Sequence, residues 1–297
     1  MITVIIPTCE RPHWIGRCLE NLNGADEIIV SDDSDTESTR LLVCKEFPTV
    51  RWIKGPRRGP AANRNFAAAF ASGDQLAFID DDCIPGKHWA SNVGLALSAS
   101  VLVEGRTICP DKTGGMFEET VENLSGGLLW SCNFGIRRDL FMELGGFDED
   151  FAEAGGEDLE FAWRVKQLGV PIRFAPEAIV YHPARRLSIR RWIYRIFQDR
   201  WHLLYRLKTT RTGIAVIDEC QDLVRITARQ VFRLGRKEAW GRALSILLRW
   251  ILFPLWFSYL SKWEVRFRRR LARKSHEPKR SRDFRAIKPL RKRLGRK

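Results

Sequence analysis

Three consecutive acids, Asp80-Asp81-Asp82, close an apolar run and lead into Cys83-Ile84-Pro85. Carboxylates this close repel one another unless a cation sits among them, and Mg²⁺ or Mn²⁺ commonly takes one or two carboxylates together with phosphate oxygens. Taken alone, the run also reads as a solvated polar turn. Upstream, Asn63-Arg64-Asn65 follows a Gly-Pro turn. Arg64 there can aim its guanidinium at diphosphate oxygens or pair with the acid run. Glu157-Asp158 opens a helical pattern behind Ala154-Gly155-Gly156, where acids also occur simply to cap the helix and oppose its dipole.

Such residues act together only if the chain brings them to one place. The first half alternates β-branched runs (2–6, 27–31, 50–54, 75–80 and 101–108) with helical patterns at 13–22, 59–71 and 158–168. That alternation predicts an α/β fold with a mostly parallel sheet flanked by helices on both faces. Sites in such sheets form at the carboxyl ends of the strands. The residues there are polar: Pro7-Thr8-Cys9-Glu10-Arg11 after the first run, Asp32-Asp33-Ser34-Asp35 after the second, and the acid triplet after the fourth. Asp-Asp-Ser-Asp is also ordinary turn and cap chemistry.

The order of motifs resembles the family 2 glycosyltransferases with the Rossmann-like GT-A fold. The resemblance rests on Val4-Ile5-Ile6-Pro7-Thr8, Glu27-Ile28-Ile29-Val30-Ser31-Asp32-Asp33-Ser34, Gly59-Pro60-Ala61-Ala62-Asn63-Arg64-Asn65 and Phe78-Ile79-Asp80-Asp81-Asp82. It continues through Asn133-Phe134-Gly135-Ile136-Arg137-Arg138, Gly145-Gly146-Phe147-Asp148-Glu149, Gly156-Glu157-Asp158-Leu159-Glu160 and Val180-Tyr181-His182, so it covers residues 1 to 182. The resemblance implies transfer of a sugar from a nucleoside diphosphate donor to an acceptor hydroxyl, with inversion and with Mg²⁺ or Mn²⁺. By the same resemblance, Thr8, Arg11, Asp32, Asp33, Arg64, Asp80, Asp81 and Asn133 face the nucleotide or donor, and Asp82, Asp80 and His182 the metal. Asp158 is then the general base, supported by Glu157. At Leu159-Glu160 the sequence departs from the family, in which a second aspartate is frequent. Trp130 lies in a Leu-Leu-Trp run and reads equally as pocket or core. Gln198-Asp199-Arg200-Trp201 is one residue short of the Gln-x-x-Arg-Trp signature of polymerising members, so single-sugar addition is expected.

The chain has 297 residues, 44% hydrophobic and 29% charged, which excludes a disordered or collagen-like protein. Residues 1–182 carry 17 Lys/Arg against 28 Asp/Glu, a net −11, whereas residues 183–297 carry 33 against 8, a net +25. The expected division is a catalytic domain over 1–185, an amphipathic and apolar helical region over 186–265, and a disordered basic tail over 266–297. The stretch 243–260 has one charge, Arg249, and is flanked by basic clusters and by Trp250, Trp256, Tyr259 and Trp263. It predicts a helix in the cytoplasmic leaflet with the cationic residues on anionic lipid. Seven scattered cysteines read as reduced thiols of a cytosolic protein, and no signal peptide is visible at the N-terminus. The expected partners are the nucleotide sugar, a lipid-linked or cell-envelope glycan acceptor and an anionic membrane surface. Two rival readings are a nucleic-acid binder, for which no recognised motif is present, and a nucleotidyltransferase, which lacks its glycine-rich phosphate loop.

Overall fold

The computed structural model describes residues 1–115, 117–209, 215–231, 243, 246–247 and 250–275. In chain order the elements are β1 (Ile2–Thr8), α1 (Pro12–Asn21), β2 (Glu27–Asp32), α2 (Ser38–Glu46), β3 (Arg51–Lys54), α3 (Pro60–Phe70) and β4 (Gln75–Ile79). There follow β5 (Ile84–Pro85), α4 (Trp89–Ser98), β6 (Leu102–Ile108), β7 (Glu118–Glu119), β8 (Asn133–Arg137), α5 (Arg138–Glu143), α6 (Glu157–Gln167) and β9 (Arg173–Tyr181). The last are β10 (Arg185–Arg186), α7 (Ile189–Phe197), α8 (Asp199–Thr209), α9 (Ala215–Val231) and α10 (Phe253–Ser275).

Every residue of β1 is buried, as expected of a strand covered on both faces. Ile5, Ile29, Leu76, Phe78 and Leu102 join one apolar cluster, while Val4, Ile6, Val30, Ala77 and Val103 join another. This strict alternation assigns one cluster to each face of the sheet. On the first face Phe78 stacks on Phe134 at 4.7 Å, and Phe147 meets Phe161 at 5.0 Å, so aromatic packing holds α6 to the strands. Each fully buried phenylalanine contributes roughly 1.5–3 kcal/mol by area.

The eight-stranded sheet runs β3-β2-β1-β4-β8-β6-β9-β5. β1 is parallel to β2 and β4, and β2 to β3. β8 is antiparallel to both β4 and β6, and β6 runs parallel to β9. Consequently the chain leaves β1, β2, β4, β6 and β9 at the same edge. The expected α/β architecture is present, with one element that periodicity did not indicate: the reversed strand β8, only five residues long and interrupted by Gly135.

Two compact units divide these elements. One comprises residues 1–110 and 121–183 of the described chain and holds the eight-stranded sheet; the other comprises 111–120 with the described residues from 184 onward. In the second unit β7 and β10 form a two-stranded antiparallel ribbon, and α8 packs on α9 and α10. Arg200 is buried there, donating to the hydroxyls of Tyr259 at 2.5 Å and Tyr194 at 3.3 Å. Its guanidinium lies 5.2 Å from the rings of both Trp201 and Trp263. The Gln-Asp-Arg-Trp run is thus part of this unit's own packing.

Two expectations change here. The stretch 243–260 was read as one helix, but a turn at Leu252 precedes α10, and Pro254 occupies the first helical turn, where its missing N–H costs nothing. Residues 244–245 and 248–249 lie outside the described residues. The basic tail was read as disordered from residue 266, yet 266–275 continue α10, with Arg268 paired to Glu264 one turn back. Residues 276–297 lie outside the described residues. No helix among the described residues is long and apolar enough to cross a membrane.

Candidate active site

The acid triplet follows β4 at the shared carboxyl edge, and each acid meets different partners. Asp80 accepts from Arg64 Nη2 at 2.5 Å. Asp81 accepts from Thr8 Oγ1 at 2.7 Å and from Arg11 Nη1 at 3.0 Å. Asp82 accepts from the same Arg11 nitrogen at 3.1 Å and faces His182 Nε2 at 3.6 Å. Burial, with the charge of Asp82, lifts the Asp81 carboxyl to about 6 even though Arg11 and Thr8 pull the other way. Three adjacent acids therefore do three things, because successive residues of an extended chain point in different directions.

Arg64 links two of the sequence motifs. It stands on α3, which starts at Gly59 (φ +90°); a Cβ at Gly59 would lie 2.1 Å from Ala152 O, so only glycine fits. Besides Asp80, Arg64 donates through Nη1 to Glu157 Oε1 at 3.3 Å, and its guanidinium lies over Phe147 at 5.5 Å. Burial opposes its charge, but Asp80 and Glu157 outweigh it and hold the guanidinium above its ordinary range. Of the two readings of Arg64, the structure displays the ion pair with the acids.

Its neighbours tie the framework. Asn63 Nδ2 donates to Ser31 O at 2.9 Å, joining α3 to β2. Asn65 exchanges hydrogen bonds with Phe147, donating to its oxygen at 2.9 Å and accepting from its N–H at 2.8 Å.

Glu157 and Asp158 begin α6 behind Gly156 (φ +97°), a left-handed position that glycine occupies without strain. Glu157 is buried and also accepts from Gly155 N at 2.8 Å. Asp158 is partly exposed and accepts from Leu159 N at 2.8 Å. Burial first, and the Glu157 charge second, raise its carboxyl to about 7. A carboxyl poised near neutrality can accept a proton from a hydroxyl brought to it. Glu160, where the family often has an aspartate, turns away: it pairs with Arg164 at 2.5 Å, and Arg164 Nη1 donates to Leu144 O and Gly146 O.

Asp82, Cys83 and His182 place one ligand atom each within 4.8 Å of one another. Asp82 and His182 were expected as metal ligands; Cys83 was not, and Asp80 is instead engaged by Arg64. The donor chemistry fits a hard or borderline divalent ion held by a carboxylate and an imidazole. Burial, reinforced by Cys132, pushes the Cys83 thiol up, so the thiolate a softer metal needs is disfavoured.

The nucleotide candidates separate on structure. Asp33 is half-buried; its carboxyl is raised by burial, and its Oδ1 accepts from Arg57 N at 2.9 Å. Asp32 is fully buried, accepting from Ser34 N at 2.9 Å and Trp52 Nε1 at 3.1 Å, so it shapes the turn that presents Asp33. Asn133, expected to touch the donor, is a framework residue instead. Its amide donates to Arg106 O and Ala178 O, and it accepts from Trp89 Nε1 at 2.8 Å, which ties β8 to β6, β9 and α4. Trp130 is partly buried and donates to Glu122 O. Sequence reasoning missed Glu104, a buried acceptor for Leu128 N, Leu129 N and Asn123 Nδ2, because a lone acid within a strand carries no motif.

Comparison with known proteins bears on this arrangement. Residues 3–100 match the family described as glycosyl transferase family 2, and residues 117–185 match the N-terminal domain of galactosyltransferase. The pre-mycofactocin glycosyltransferase of Mycobacterium tuberculosis is 27% identical over 218 residues, covering 65% of this chain and 45% of that protein. Glycosyltransferase AglE of Haloferax volcanii is 25% identical over 207 residues, covering 62% of this chain and 67% of that one. This chain thus spans about half to two thirds of these relatives' length. The solved mannosyltransferase PcManGT from Pyrobaculum calidifontis, in complex with GDP-Man and Mn²⁺, shares the fold with a TM-score of 0.55 at 18% identity. That match covers 90% of this chain and 86% of that one. GalNAc-T7 with UDP, GalNAc and Mn²⁺ aligns with a TM-score of 0.52 at 17% identity, over 69% of this chain and 50% of that one.

Proposed function

We propose, from the premise that this chain is a glycosyltransferase of family 2 with the GT-A fold, that it transfers a single sugar from a UDP- or dTDP-sugar to a hydroxyl of a lipid-linked or cell-envelope glycan, with inversion. The observation that carries this reading is the row Asp82–Asp80–Arg64–Glu157–Asp158, which joins a cation-binding carboxylate to a carboxyl poised near neutrality. Asp33 accepts from the base or ribose of the nucleotide, and Asp32 holds the turn that presents it. Asp82 and His182 hold the divalent cation, Mg²⁺ or Mn²⁺, which when bound neutralises charge on the departing diphosphate. Asp158 removes the proton of the attacking hydroxyl. Arg64 keeps Asp80 and Glu157 apart as an ion triplet, and Glu157 fixes the Gly155 N–H at the mouth of α6. The solved structures that hold GDP-Man or UDP with Mn²⁺ support a nucleoside diphosphate and a divalent ion.

The enzyme works at the cytoplasmic face of a membrane. Support comes from the exposed Leu247, Ile251 and Leu255, spaced four residues apart, and from Lys262, Arg266, Arg269, Arg270 and Arg273 along α10.

Calorimetric titration of UDP, dTDP and GDP, each with and without Mn²⁺, tests the catalytic reading. Metal-dependent binding of one nucleotide is expected and identifies the base. A folded protein that binds none of them overturns the proposal.

A further inference from the structure

Arg106 stands on β6 with its Nε buried and donating to no partner. Among the described residues no carboxylate pairs with its guanidinium, although the surrounding sheet unit is rich in acid. The nearest acid on its own strand face is Glu104, two residues earlier. Glu104 is already committed: Leu128 N, Leu129 N, Gly127 N and the Asn123 amide all donate to it. The same carboxylate therefore pins a segment in which Gly126, Gly127 and Leu129 all adopt positive φ, of +87°, +96° and +47°. A non-glycine residue there is strained and persists only where surrounding contacts hold it. The loop takes the acid, and the arginine is left to something else.

Strand register shows where Arg106 faces. Phe78 pairs with Phe134, and Phe134 with Glu104, so these three form one row across β4, β8 and β6. Asp80 lies two residues beyond Phe78, and Arg106 two beyond Glu104, toward the same carboxyl edge. They occupy the next row on the same face, two strand spacings or roughly 10 Å apart. That face is sealed by Leu102 and Glu104 and becomes accessible at Arg106 and Ile108. It is the face that carries Arg64, Glu157 and Asp158. Thr8 and Asp33, at the ends of β1 and β2, lie on the other side of β4.

We infer that Arg106 binds an anionic group, a phosphate or carboxylate, carried by the acceptor on the side of β4 away from the nucleotide. A part-buried guanidinium without a counter-ion is costly, and an anion delivered by substrate removes that cost while fixing the acceptor's orientation. An acceptor with a phosphate or acidic sugar next to the reacting hydroxyl satisfies the site. The inference rests on the glycosyl-transfer reading for the word acceptor, but the anion site itself can be tested apart from it.

The experiment is calorimetric titration of inorganic phosphate, and separately of free glucuronate, into the full chain, first without nucleotide and then with Mg²⁺ and whichever nucleotide diphosphate binds. The wild type is expected to bind at least one of the two anions with a millimolar Kd in both states. Arg106→Gln is expected to weaken that binding at least tenfold, and Arg106→Lys to keep it within about threefold, with melting temperatures and nucleotide affinity unchanged. Equal anion binding by wild type and Arg106→Gln, or none by wild type, overturns the inference. So does a loss of nucleotide affinity in Arg106→Gln, which moves Arg106 to the donor diphosphate. Failure of all nucleotides to bind, with the anion result intact, sinks the glycosyl-transfer reading and leaves the anion site standing.

Discussion

Arg64 in the sheet unit and Arg200 in the helical unit are both buried, and their surroundings differ in kind. Arg64 is neutralised by Asp80 and Glu157, so burying it means burying three charges whose mutual geometry must hold. Arg200 has tyrosine hydroxyls and two indole faces as its immediate neighbours. Cation–π attraction and neutral acceptors tolerate small displacements better than a carboxylate pair does. The first arrangement suits a site in which proton affinity and position matter. The second suits a helical scaffold that needs cohesion from a strongly basic sequence with few acids to share.

The largest effect expected from breaking this contrast is on turnover. Asp158→Asn should lower transfer by about 10²–10⁴-fold while leaving nucleotide affinity unchanged by calorimetry, since the base is lost and the donor site is not. Loss of nucleotide binding in that variant would show that Asp158 belongs to the donor site. The pH profile should agree: with its carboxyl at about 7, Asp158 is protonated below that value and the rate should fall as pH drops through it. Stability runs the other way, because this carboxyl is raised on folding. Its contribution is full below the usual aspartate range near 4 and is lost as pH rises through about 7. Asp158→Asn should therefore melt higher than wild type at pH 8, and the gap should close toward pH 4.

Next in size is Arg64→Met, which leaves two carboxylates without their counter-ion. Denaturant titration should report a loss of about 3–5 kcal/mol. Arg200→Met should cost less, about 1–3 kcal/mol, since it removes two hydrogen bonds and ring contacts. Equal losses in the two variants would erase the distinction drawn between the sites. The smallest change in folding stability is expected for Ile251→Glu, within about 0.5 kcal/mol, because the side chain is exposed. Flotation with vesicles containing anionic lipid should nonetheless fall in that variant. Unchanged flotation would remove Ile251 from the membrane face.

Much of the site was legible from residue order. Asp80–Asp82, Arg64, Glu157 and Asp158 were all singled out before any contact was known, because strand ends and helix starts are local features with local signatures. Asn133 was misread as a donor contact because an amide in a short strand looks the same whether it faces a ligand or stitches three strands. Cys83 and Glu104 escaped notice for a related reason: neither belongs to a periodic pattern, and their partners lie 99 and about 20 residues away in sequence.

The sequence by itself determined the alternation of strands and helices, the clustering of acids at one sheet edge and the charge division between the halves, since each follows from residue type and spacing along the chain. Only the tertiary structure decided which acid meets which cation, that β8 enters the sheet reversed, that α10 begins at Pro254 and carries on into the basic residues, and that Glu104 serves a loop and leaves Arg106 exposed to a ligand. Those outcomes depend on which side chains from distant segments compete for the same few hydrogen bonds, and that competition exists only once the chain has folded.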